Sequence, residues 1–171
     1  MQPLEGTPLL PPTLSPRKKL LITFTLFLTA HASSITTSIR YGFLVIACTQ
    51  RGIPGSIYGF IESTKLVGYL FAFGTRSLSD KHLTKVSPKA IVLVTMFTLM
   101  ATCLISGLAI FSSSNLIFLT VSIGMRIVQG YAAFFFQTTV LDIGHTLYNK
   151  EFDTLNGVMQ CGYFTGHGVG Q

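Results

Sequence analysis

Gly124-Met125-Arg126-Ile127-Val128-Gln129-Gly130-Tyr131-Ala132-Ala133 lies in the middle of an otherwise uncharged, mostly apolar run from about Leu116 to Val140. A helix over that run is long enough to cross a hydrocarbon core of about 30 Å. Arg126 is its one charge. It stands about 15 Å along the helix from Leu116, close to the middle of such a crossing. An arginine at that depth is expensive unless it meets a carboxylate, carbonyl groups or water. It therefore marks a polar cavity or one half of a structural ion pair that locks two helices, and the run by itself does not choose between them.

The rest of the chain is written in the same style. Of 171 residues, 11% are charged and 49% hydrophobic, with a mean hydropathy of +0.56. A soluble domain carries about 25% charged residues. The charges are bunched, and the stretches between them are long and apolar, as in a bilayer protein. The pattern predicts an all-α membrane protein, a polytopic bundle of transmembrane helices. Spans are expected at about 20–46, 56–73, 90–111, 116–140 and 155–171, with the fifth cut short by the end of the chain. Residues 1–19 read as a disordered cytosolic tail: the tail is proline-rich without an apolar run, and Arg17-Lys18-Lys19 comes too late for a signal peptide.

Lysine and arginine set the orientation. Arg17, Lys18, Lys19, Arg76, Lys81, Lys85, Lys89 and Lys150 fall on one side, Arg40 and Arg51 on the other. This places the N-terminus in the cytosol. It also accounts for the net charge of +6 without nucleic acid, for which a basic patch interleaved with stacking aromatics would be needed. Cys48, Cys103 and Cys161 are far apart, with neither a disulfide framework nor zinc-ligand spacing. No nucleophile-base arrangement, catalytic carboxylate pair or phosphate loop is present, so an enzyme is not expected, and no cofactor or metal is implied.

Ionisable side chains are distributed unevenly among the spans. His31, Glu62, Lys65, Arg126 and His167 fall on spans one, two, four and five, whereas span three offers only the thiol of Cys103. The middle of span one is also polar, with Ser33, Ser34, Thr36, Thr37 and Ser38. Glu62 and Lys65 share one helical face and are within pairing distance of each other. Glu62 lies about 9 Å below the boundary at Ser56, so an Arg126 about 15 Å down is within reach if the two helices are neighbours. A shared Arg126–Glu62 network is expected, with Lys65 and His31 at its edge. It serves either as a structural lock or as a proton or cation site.

Arg126, Gln129, Gly130 and Ala133 together resemble the R-x-x-Q-G-x-x-A pattern in the fourth helix of major facilitator superfamily proton antiporters. The fifth segment, from Gly162 through Gly166-His167 to Gly170-Gln171, is similar to their G-x-x-x-G-P-x-x-G-G signature, with histidine at the proline and glutamine at the last glycine. Gly162, Gly166 and Gly170 recur on one helical face and permit close helix packing. Asp80-Lys81 with Lys85 resembles the charged members of the family's loop after the second helix, although Arg76 and Leu83 stand at its glycine positions. Arg51-Gly52-Ile53-Pro54-Gly55 resembles the connection between the first two helices of vesicular amine transporter relatives.

The resemblance implies twelve helices in two lobes, of which this chain supplies most of the N-terminal lobe. It further implies a solute and proton pathway near Arg126, Glu62, Lys65, His31 and Gln129, a packing signature at Gly130, Gly162, Gly166 and Gly170, and a gating loop at Asp80 and Lys81. The expected function is secondary active transport of a small organic solute, by alternating access and proton antiport. The partners implied are the lipid bilayer, the solute, protons and the missing C-terminal lobe. A non-transporting sensor or scaffold of the same fold is the alternative. The charge of the solute stays open, since Glu62 suits an amine while Lys65, Arg126 and Arg40 suit an anion. Glu5-Gly6-Thr7-Pro8-Leu9-Leu10 resembles an acidic dileucine sorting signal, which implies a vesicular or endolysosomal membrane.

Overall fold

A computed structural model describes residues 15–83, 86–148 and 152–169. Within them the chain forms five α-helices: α1 (Pro16–Gln50), α2 (Gly55–Leu83), α3 (Pro88–Ala109), α4 (Asn115–Tyr148) and α5 (Phe152–Val169). No strand occurs among the described residues. Residues 1–14 of the expected tail, with Glu5, Leu9 and Leu10, lie outside them, together with Lys85, Lys150, Gly170 and Gln171, whereas Arg17, Lys18 and Lys19, expected in that tail, stand on the first turn of α1. The side chains of Thr36, Thr37, Arg40, Asp80, Lys81 and His167 also lie outside the described residues.

Local chemistry sets the helix boundaries. Pro16 and Pro88 open α1 and α3, where a missing N–H costs nothing. Ser87 caps α3 by accepting a hydrogen bond from the Ala90 amide. Between α1 and α2 the chain reverses at Gly52, whose φ of 65° is cheap only for glycine. The helices outrun the expected spans at their charged ends. α2 continues to Leu83, so Asp80 and Lys81 stand on the last turns of a helix rather than in a loop. Charge alone does not end a helix, and no glycine or proline occurs from Arg76 until Pro88.

α4 is the centre of the arrangement: α2 and α3 both pack along it, while α1 packs along α5. Glycine makes the two main seams close. A Cβ on Gly68 would fall onto the Ile127 carbonyl and lie 2.8 Å from the Tyr131 nitrogen, and one on Gly130 would fall onto the Lys65 carbonyl. Across the other seam, a Cβ on Gly162 would lie 3.0 Å from the Phe27 carbonyl, and one on Gly166 2.8 Å from the Ser34 Cβ. Helices meet backbone to backbone in this way when small residues line the contact.

Polarity runs from the inside out. Arg126 and Gln129 are fully buried, while Phe97 is 74% exposed in company with Leu93, Met100, Leu104 and Leu108 on α3. Leu66, Leu70, Phe71 and Phe73 on α2 are likewise exposed. Pro88–Ala109 and Asn115–Thr146 are each long and apolar enough to cross a membrane. Two apolar clusters bracket the polar interior. One joins Leu44, Ala47, Ile61, Ala109 and Phe118 near the α1–α2 and α3–α4 turns, and the other joins Leu26, Phe136, Val140, Leu155 and Met159 toward the opposite end.

Candidate functional site

Between those clusters lies the layer that carries the charges. Arg126 reaches from α4 to α2, where its Nε donates to Glu62 Oε1 at 3.1 Å and its Nη2 donates to Glu62 Oε2. Its Nη1 donates to Gln129 Oε1 at 2.6 Å. The planar fork of the guanidinium matches both carboxylate oxygens, a fit that a lysine cannot make. The Arg126 side chain is 0% exposed and that of Glu62 13%. Gln129 is held in turn by Arg126 and by its Nε2 at 3.9 Å from Cys103 Sγ on α3. The depth argument that put Arg126 within reach of Glu62 thus corresponds to a direct, two-pronged ion pair.

Lys65 departs from expectation. It shares a helical face with Glu62, yet its Nζ sits 5.8 Å from the centre of the Tyr69 ring and makes no salt bridge among the described residues. Arg126 occupies both oxygens of Glu62, so the closer and better-shaped partner wins. His31 also stands apart from Arg126. Its ring stacks on Phe27 at 6.1 Å, and Nδ1 lies 3.0 Å from Thr165 Oγ1 and 3.3 Å from the Gly162 carbonyl. The Thr165 hydroxyl lies 2.8 Å from the Cys161 carbonyl. Donating there, it accepts from His31, which places the imidazole proton on Nδ1. His31 belongs to the α1–α5 seam, beside Ser34 Oγ, which donates to the Tyr163 carbonyl at 2.7 Å. Depth alone put it near Arg126; the pairing of α1 with α5 took it elsewhere.

Lys65 instead faces an open cavity of about 290 Å³ lined by residues of α1, α2, α4 and α5. Its polar lining consists of Ser33, Ser34, Lys65, Gln137, Gln160 and Tyr163. Tyr69 Oη donates to Gln137 Oε1 at 3.4 Å, and the buried Tyr163 hydroxyl has no hydrogen-bond partner among the described residues. Of the expected pathway residues, only Lys65 lines this space. Arg126, Glu62 and Gln129 form the buried cluster beside it.

Several of these residues escaped the sequence reading. Gln137 follows Arg126 by three helical turns and so shares its face, a periodicity that was available in the sequence. Gly68, on the same face of α2 as Lys65, becomes meaningful only once α4 lies against it. Arg51, placed in a short turn, reaches across it: its guanidinium donates to Asn115 Oδ1 at 3.1 Å, to the Ile110 carbonyl at 2.8 Å and to the Ser112 carbonyl. It also stacks 4.6 Å from the Phe118 ring centre. At the other end Arg76 pairs with Asp142 at 2.8 Å. The two arginines tie the helix ends together above and below the charged layer.

No known protein family, curated protein or solved structure matches this chain.

Proposed function

We propose that this chain is most of the N-terminal lobe of a secondary active transporter of the major facilitator type, moving a small organic solute by alternating access with proton antiport. The observation that carries the reading is a buried, bidentate Arg126–Glu62 pair beside a polar-lined cavity, in a bundle whose outer surface is apolar. Ionisable groups held in the interior of an apolar bundle are the usual marks of a solute or proton path. In this reading the helices form a polytopic membrane bundle with a cytosolic N-terminus. The cavity holds part of the solute, and the rest of the site comes from a second lobe. Arg126 holds Glu62 in place, so that the α2–α4 seam stays fixed while the α1–α5 pair moves against it.

The test is uptake by the full-length protein in proteoliposomes under an imposed proton gradient, with a panel of small organic cations, anions and neutral solutes. Gradient-dependent accumulation of one class is expected. Failure of every class to accumulate, in protein shown to be folded, overturns the transport reading.

A further inference from the structure

The charge count around the cavity bears on what it holds. No carboxylate is among the described residues that line the cavity, and both oxygens of the neighbouring Glu62 are taken by Arg126. The guanidinium is wholly buried and directed at Glu62 and Gln129. This pair is neutral as a unit and presents no free carboxylate to the cavity. Lys65 therefore supplies the one formal charge among the described lining residues. Around it stand groups that can donate hydrogen bonds to an oxyanion: the Gln137 and Gln160 amides and the unpartnered Tyr163 hydroxyl. Met159, Ala133 and Leu141 provide an apolar wall. A cationic solute would bring a second positive charge to Lys65 with no carboxylate to answer it, in a place where water screens poorly.

We propose that the cavity binds a small organic anion, a carboxylate with a compact apolar body, with Lys65 as its countercharge and Tyr163 as a hydrogen-bond donor. The proposal rests on the transporter reading, since it names the solute class for the same cavity. The volume sets the scale. About 290 Å³ corresponds to roughly ten water volumes, room for a solute of roughly ten non-hydrogen atoms.

Phenylacetate, 2-phenylethylamine and 2-phenylethanol share that size and an aromatic body, and differ in charge. Binding of each radiolabelled compound to the full chain in zwitterionic nanodiscs tests the proposal. Phenylacetate should bind at least about tenfold tighter than the other two, the value of one charge-assisted contact. Lys65→Gln should remove that preference and Lys65→Arg should keep it. Tighter binding of the amine, equal binding of all three, or an undiminished preference in a folded Lys65→Gln protein overturns the anion assignment and leaves the cavity reading standing. Binding of none of the three by helical, monodisperse wild-type protein overturns both. If Lys65→Gln does not fold, the wild-type order and the Lys65→Arg protein decide.

Discussion

Arg126 is 0% exposed and satisfied by a carboxylate and an amide, so the consequences of altering it depend on what is left behind. Arg126→Met strands the Glu62 carboxylate in the interior, and breaking a buried pair from one side costs about 3–5 kcal/mol. Glu62→Met strands the arginine in the same way. Removing both together leaves no orphan charge, so the double variant should be more stable in detergent unfolding than either single one, a non-additivity expected of direct partners. Arg126→Lys keeps the charge and loses the fork. If Arg126 serves transport, Arg126→Lys should abolish proton-driven uptake with expression and monodispersity largely retained. Normal uptake would leave Arg126 a structural residue, and loss of folded protein would favour the simple helix lock.

At the scale of elements, the glycines separate into two kinds. Gly68 and Gly130 face each other across α2 and α4, and a Cβ on either would strike main-chain atoms of the opposite helix. Gly59 lies earlier on α2 with nothing within 4 Å of such a Cβ. Backbone cannot yield as a flexible side chain can. Gly68→Ala and Gly130→Ala should therefore destabilise by about 1–3 kcal/mol, as overpacking does. Gly59→Ala should be neutral or stabilising by up to about 1 kcal/mol, through helix propensity. Thermal unfolding of the three variants in one detergent provides the measurement. Equal effects at all three positions would mean that the α2–α4 seam is looser than its geometry requires.

For the whole molecule, the proposed membrane bundle has a direction that the lysine and arginine bias predicts. Ser87 and Ser113 are both exposed, near opposite ends of α3. A cysteine at Ser87 should be modified by an impermeant reagent only from the cytosolic side, and one at Ser113 only from outside. The reverse pattern would invert the topology. If Glu5, Leu9 and Leu10 form a sorting signal, replacing both leucines by alanine should move the full-length protein to the plasma membrane, as seen by imaging. An unchanged distribution would reduce the match to chance.

The helical character of the chain and the position of each charge along its helix were legible in the sequence. Both are local properties, fixed by apolar run length and by a rise of about 1.5 Å per residue. The reach from Arg126 to Glu62 was legible for the same reason, given that α2 and α4 are neighbours. The residues themselves do not state that neighbourhood, and the remaining assignments depended on it. His31 lies near the middle of α1, but α1 packs on α5 and so gives His31 to Thr165. Lys65 lies one turn from Glu62, but the guanidinium of a different helix outcompetes it and leaves it to Tyr69 and the cavity. Sequence set how far along its helix each charge lies. Only the tertiary structure decided which charges meet, because pairing across helices depends on rotation and separation of the helix axes, which no single helix encodes.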